Sequence, residues 1–294
     1  MLNYLLLCKI DRILYNIVDL SRIKLKFDGG KMSLSIAPLY SSSSGNSTFI
    51  GSENTGILID AGCAGKYIIS ALDQIGIDPR FIKGILVTHE HSDHIKGVGI
   101  VSRKFDIPVY ANATTWQAME KKVGEISIKN RRIIDENDFF IDDLCISPIP
   151  LHHDAAAPTG YSIACKGKKI SIITDTGRVT RAMIEKAAGS QVVLLEANHD
   201  VSMLKCGRYP YELKRRILST NGHLSNEDCA ACAVALAKSG VRGILLGHLS
   251  KENNFEELAY NTVAQALKSE GFLPGRDIAL AITKKYEVTR LITI

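Results

Sequence analysis

Apolar residues recur along this chain with two spacings. Short apolar runs at 34–40, 47–50, 56–60 and 83–88 read as strands, and stripes of helical period at 64–75 and 95–105 read as helices between and after them. A second series repeats the plan, with strands at 144–151, 159–165, 169–174 and 191–196 and a helical stretch at 179–188. Two further helices, 226–238 and 255–269, flank a strand at 242–246. Two strand series, each with its own helices, predict an α/β protein built as a four-layer αββα sandwich, sheet on sheet with helices covering both outer faces. No proline-rich linker or long repeat interrupts it; only the run Ser41 to Ser44 stands out.

The first residues follow neither series. Leu6, Ile10, Ile13, Ile17 and Leu20 make a helical stripe, after which Ile23, Leu25 and Phe27 alternate with polar residues. Leu5 to Leu7 before Cys8 do not form a signal sequence, because no basic segment precedes them and Lys9, Asp11 and Arg12 break the apolar stretch. The run is also too short to span a bilayer. We expect 32–294 to be one hydrolase domain and 1–31 an extension upstream of a native start at Met32, since Asp28-Gly29-Gly30-Lys31 fits a purine-rich ribosome-binding sequence. An intact Met1 in the mass spectrum of the natural protein would contradict that start.

Composition narrows the class. With 294 residues, 46% hydrophobic and 23% charged, the chain is neither collagenous, disordered nor membrane-embedded. The formal net charge of +5 permits an anionic substrate without resembling a nucleic-acid coat protein. Seven scattered cysteines, an odd number, suit a reducing compartment and a cytoplasmic protein.

The densest chemistry is Thr88-His89-Glu90-His91-Ser92-Asp93-His94, at the end of an apolar strand. His89 and His91 can face one ion while Asp93 and His94 turn to a second, as two-metal hydrolysis requires. The run resembles the His-x-His-x-Asp-His signature of the metallo-β-lactamase superfamily. That resemblance implies roles elsewhere. Asp60, in Leu58-Ile59-Asp60-Ala61-Gly62, would be a carboxylate behind the ligands that orients the metal loop. In Leu151-His152-His153-Asp154-Ala155, strand alternation lets one histidine face the metals, and the resemblance selects His153. Asp175 would bridge both ions, and His248, in Leu246-Gly247-His248-Leu249, would complete the second site. The implied ligands are His89, His91 and His153 for one ion, Asp93, His94 and His248 for the other, and Asp175 shared. A nitrogen and oxygen set of this kind accepts two divalent ions, Zn2+, Mn2+ or Fe. Asp93 would serve catalysis as well as metal binding.

The substrate has to be read from other residues. Asp93 argues against a zinc β-lactamase and His91 against a flavo-diiron oxygen reductase, whereas a glyoxalase II-like thioester hydrolase shares every ligand. Three features favour a phosphodiester. The loop Ser41-Ser42-Ser43-Ser44-Gly45-Asn46-Ser47 offers donors to phosphate, with Ser43, Ser44 and Asn46 as contacts. Gly-His-Leu-Ser occurs twice, at 222–225 and 247–250, each time before a helical pattern, so Ser225 and Asn226 sit where unpaired helix N–H groups attract phosphate, although Ser225 with Asp228 also fits a helix cap. His223 would contact phosphate or protonate the leaving alkoxide. With His153-Asp154-Ala155 and Glu196-Ala197-Asn198-His199-Asp200, these features resemble the YycJ/WalJ branch of the superfamily. The resemblance implies a 5′-to-3′ exonuclease acting on nucleic acid, DNA in particular, with no membrane partner. A cyclic or small-molecule phosphodiesterase and a metal-stabilised binding module stay open. Glu196, His199 and Asp200 either support the ligands or line the groove, Cys229 and Cys232 read as core packing, Trp116 carries no assignment, and no helical exosite arm is evident.

Overall fold

The structure is a computed structural model and describes residues 34–284 and 287–294. The 1–31 extension and the expected start at Met32 lie outside those residues.

The first sheet grows from β1 (Ser35–Ser42), β2 (Gly45–Gly51), β3 (Gly56–Ile59), β4 (Ile82–Leu86), β5 (Val109–Asn112) and β6 (Arg131–Ile134). Against it lie α1 (Gly65–Gln74), α2 (Ser92–Ile95), α3 (Val98–Phe105) and α4 (Ala113–Val123). The second sheet comprises β7 (Phe139–Ile141), β8 (Leu144–Pro150), β9 (Thr159–Cys165), β10 (Lys168–Ile173), β11 (Val192–Glu196), β12 (Gly243–Gly247) and β13 (Ala279–Ile282). Its helices are α5 (Arg181–Ala187), α6 (Val201–Cys206), α7 (Tyr211–Ile217), α8 (Asn226–Lys238) and α9 (Glu256–Ser269). A last strand, β14 (Ile292–Thr293), returns to β1, so the sheet orders are β14-β1-β2-β3-β4-β5-β6 and β13-β12-β11-β10-β9-β8-β7.

Alternation along the strands builds three apolar layers, and three layers require four slabs. Ile57 and Ile59 of β3 face Ile146, Ile163, Ile172 and Leu194 between the sheets. Leu58, between them, joins Ile68, Leu72, Val98, Val101 and Met119 beneath the first helices. In β11, Val193 and Leu195 point the other way, to Cys229, Ala233, Leu236 and Val263. This is the αββα sandwich expected from the two strand series.

Several elements differ from the expectation. The serine segment is not a loop: β1 and β2 run into it, pairing Ser41 with Asn46 and Ser42 with Gly45, so only Ser43 and Ser44 form the exposed turn. The helix expected at 95–105 starts at Val98, after the short α2, because the Gly97 N–H donates to the Ala61 carbonyl at 2.7 Å rather than to the turn of α2, which sets Gly97 against the β3–α1 loop. A Cβ there would lie 2.3 Å from the Cys63 carbonyl oxygen. Three- and four-residue strands such as β6, with two arginines and an exposed Ile133, carry no period and escape notice. Trp116 is buried in the first helical core and donates its indole N–H to the Arg132 carbonyl at 3.0 Å. Cys229 and Cys232 lie buried on α8, where burial pushes Cys232 up to about 12 and Cys229 well above the usual range. They pack the core and form no disulfide. Among the described residues no helix is long and apolar enough to cross a membrane.

Candidate metal centre

In both sheets β3–β4–β5 and β10–β11–β12 run parallel, and the site residues follow the carboxyl ends of these strands. Such ends are where open parallel sheets expose their loops to ligands. Asp60 follows β3, His89 to His94 follow β4, Asp175 follows β10, Glu196 ends β11 and His248 follows β12. Asp60, Asp175 and His248 adopt left-handed backbone, with φ of 61°, 61° and 57°. For residues with a Cβ that conformation costs about 1–2 kcal/mol each. It turns each chain sharply off its strand, which brings side chains from two sheets to one point.

The first cluster joins His89, His91 and His153, whose ligand atoms lie within 4.8 Å of one another. His89 Nε2 and His91 Nδ1 face each other at 3.0 Å, and His153 is fixed by its Nδ1 at 2.9 Å from the Gly222 carbonyl. A tetrahedral ion with bonds of about 2.0–2.1 Å places its nitrogen ligands about 3.3 Å apart, close to this spacing. Burial, reinforced by the neighbouring imidazoles, holds His89 well below the usual histidine range, and His91 is lowered in the same way. Burial thus favours in both the neutral form that metal binding requires. The neighbouring His152 instead faces Arg178, with Nδ1 3.2 Å from the guanidinium.

A second cluster joins Asp93, His94 and His248, and Asp175 lies between the two, grouped with His89 and His94 on one side and with Glu196, His223 and His248 on the other. Burial works against charge here, yet Asp175 and Asp60 raise His94 to about 10, and Asp175 and Glu196 raise His248 to about 9. Asp175, against its own burial, is held below the usual carboxylate range by His248 and His94. The acids and imidazoles therefore attract one another strongly in the metal-free state. Asp175 Oδ2 and His248 Nε2 are nonetheless buried without a hydrogen bond in the protein. Two orphaned buried polar atoms aimed into a cluster of nitrogen and carboxylate donors fit a divalent cation.

Two buried carboxylates stand behind the candidate ligands. Asp60 accepts from the Thr88 N–H and Oγ1, both at 2.8 Å, and lies 2.7 Å from His94 Nδ1, which leaves Nε2 to face the cluster. Glu196 does the same on the other side: its Oε1 is 2.8 Å from both His248 Nδ1 and His223 Nδ1, and its Oε2 accepts from the Thr176 N–H. Although burial pushes it up, His223 and His248 hold Glu196 well below the usual range. Glu196 is one of three residues, with His199 and Asp200, that the sequence left undecided. Its signal was being the single acid of an otherwise apolar strand. His199, beside it, has both ring nitrogens buried and unbonded, and burial lowers it to about 4. Asp200 caps α6 through the Met203 N–H.

The expected substrate contacts are placed differently from one another. Ser43 and Ser44 are exposed at the hairpin tip. Asn46 turns inward, its amide 3.1 Å from His94 Nε2 and 3.4 Å from Asp93 Oδ2. His223 is partly exposed, with its Nδ1 3.7 Å from Asp175 Oδ1. Ser225 and Asn226 are buried: the Ser225 hydroxyl accepts the Asp228 N–H and donates to its carboxylate, and Asn226 bonds Asn254, so neither side chain is left for substrate. All eight histidines of the chain belong to this region, six of them in the clusters and His152 and His199 next to members.

The model of the metallo-beta-lactamase superfamily matches residues 42–224. Exodeoxyribonuclease YycJ of Bacillus anthracis is 42% identical over 242 residues, covering 82% of this chain and 92% of that one. Exodeoxyribonuclease WalJ of Streptococcus pneumoniae is 40% identical over 259 residues, 87% of this chain and 96% of the relative. Among solved structures, the metallo-beta-lactamase fold protein YhfI from Bacillus subtilis superimposes with a TM-score of 0.68 at 13% identity, covering 90% of this chain and 100% of its own. A diphosphatase of the PhnP family gives 0.63 at 16% identity, with 90% and 98% covered. At such identities the likeness concerns the fold, and the two sequence relatives carry the finer kinship. The chain belongs to the metallo-beta-lactamase superfamily and, within it, to the family of the exodeoxyribonucleases YycJ and WalJ.

Proposed function

We propose that this chain is a metal-dependent exodeoxyribonuclease that digests DNA from the 5′ end. The reading rests above all on the 42% identity, over 92% of its length, to a protein named as an exodeoxyribonuclease. His89, His91 and His153 would hold one divalent ion, Asp93, His94 and His248 a second, with Asp175 shared. Zn2+, Mn2+ or Fe suits such donors. When bound, two cations lower the pKa of water towards neutrality and draw charge from a phosphoryl oxygen. The protein's own part is to orient and to move protons. Asp60 keeps His94 turned by its Nδ1, and Glu196 keeps His248 turned likewise. Glu196 also fixes His223 by Nδ1, leaving Nε2 to carry a proton to the departing sugar alkoxide. Ser43 and Ser44, exposed at the hairpin tip, would donate to phosphate. The free thiols suit a cytoplasmic setting.

Chelator-stripped protein reloaded with Mn2+ or Zn2+ tests this reading. Cleavage of bis-p-nitrophenyl phosphate should vanish with the chelator and return with the ion, while a glutathione thioester is left intact. Preferential thioester cleavage would overturn it. His223→Ala should slow turnover about a hundredfold with both ions retained, the range of a lost general acid; undiminished turnover would remove His223 from the proton path.

A further inference from the structure

Between β11 and α8 the chain leaves the sandwich for α6 and α7. Residues 201–221 contain Lys205, Arg208, Lys214, Arg215 and Arg216 against one acid, Glu212, a surplus of four where the whole chain has a net charge of +5. The rest of the protein is close to neutral. A solubilising surface intersperses the two signs; here cations outnumber acids five to one.

The excursion is tied to the metal centre at its far end. The His223 N–H donates to the Ile217 carbonyl at 3.1 Å, and the Gly222 N–H to the Ser219 carbonyl at 2.9 Å. The Arg216 guanidinium pairs with the Asp154 carboxylate, whose Oδ1 is 3.3 Å from His153 Nε2. The last turn of α7 therefore borders the clusters directly. Away from that border, Lys205 and Arg208 are exposed and pair with no carboxylate among the described residues. Arg215 meets Glu212 at 2.9 Å with both side chains more than two-thirds exposed, an ion pair too weak to hold the cation back. Tyr211 stands 74% exposed on the same helix. Exposed cations in the same segment as an exposed aromatic ring suit a single nucleic-acid strand, phosphates on the cations and a base on the ring.

We propose that residues 201–221 are the surface that receives the DNA strand, with Lys205, Arg208 and Arg215 on phosphates and Tyr211 under a base. The proposal rests on the exonuclease reading of the metal centre and names where its substrate lies.

Fluorescence anisotropy of a short, labelled, 5′-phosphorylated single-stranded DNA, with chelator present to prevent cleavage, reads binding without turnover. Lys205→Ala/Arg208→Ala/Arg215→Ala should bind at least tenfold more weakly, and its plot of log K against log salt should be shallower by about 2, at roughly 0.7 per lost phosphate contact. Tyr211→Ala should weaken binding about tenfold with the salt slope unchanged. Arg208→Glu, a single change at an exposed position, gives the same direction should the triple variant fold poorly, and circular dichroism melts report on folding. Wild-type binding matched in affinity and slope by the variants overturns the surface alone. Wild-type protein that fails to bind DNA overturns the surface together with the exonuclease reading.

Discussion

Single residues set the centre at a cost to the fold. Asp60, Asp175 and His248 hold left-handed backbone at the ends of their strands, and Gly62 packs so closely on the metal loop that a Cβ would fall 1.6 Å from the Asp93 carbonyl oxygen. Gly62→Ala must push that loop away, and we expect chelator competition to show metal affinity reduced at least tenfold; equal affinity would contradict the packing argument. Asp60→Asn keeps the shape but weakens the hold on His94, for which a loss of about 10–100-fold in metal affinity is expected by the same measurement. pH acts through His94 and His248, raised to about 10 and about 9. A raised histidine stabilises the folded state fully below its unfolded value of about 6.5, and that stability is lost as pH climbs through the folded value. Metal-free protein should therefore melt at progressively lower temperature from about pH 6.5 to 10, while metal affinity rises over the same window because the ion must displace those protons. A melting temperature that rises across the window would contradict the charge assignment.

At the scale of elements, what could be read depended on length and period. Long amphipathic stretches declare themselves: α8 is Asn226–Lys238, the span its pattern predicts, and β9 likewise runs Thr159–Cys165. Elements set by tertiary pairing did not. The β1–β2 hairpin extends through four serines because backbone ladders ignore side-chain polarity, and α4 begins abruptly where the Asn112 side chain accepts the Thr115 N–H at 2.8 Å. The metal loop was legible because four candidate ligands crowd six residues. Glu196 was not, since its role depends on two histidines 27 and 52 positions away. Ser225 belongs to this scale as well. Losing its cap should cost about 1 kcal/mol, so Ser225→Ala should lower the midpoint of urea unfolding with metal content unchanged; an unchanged midpoint would return that hydroxyl to the substrate.

Over the whole molecule, the two sheets follow one plan. Reading β14-β1-β2-β3-β4-β5-β6 beside β7-β8-β9-β10-β11-β12-β13, each has three antiparallel pairings followed by three parallel ones. Asp60 and Asp175 then occupy the same place, after the third strand of each half in chain order from β1 and β8, and both have φ 61°. No repeat is visible in the sequence, because packing preserves apolar positions rather than identities. The candidate centre sits where the equivalent strand ends of the two halves meet, which is why its candidate ligands come from segments as distant as His89 and His248. The decisive measurement is digestion of two DNAs of identical sequence, one linear and one a covalently closed circle, by Mn2+-loaded protein and by its Asp175→Asn variant. The linear form should be degraded progressively from its 5′ ends while the circle persists, with chelator or Asp175→Asn abolishing the reaction. Attack on the closed circle, or undiminished digestion by the metal-stripped protein, would contradict this expectation.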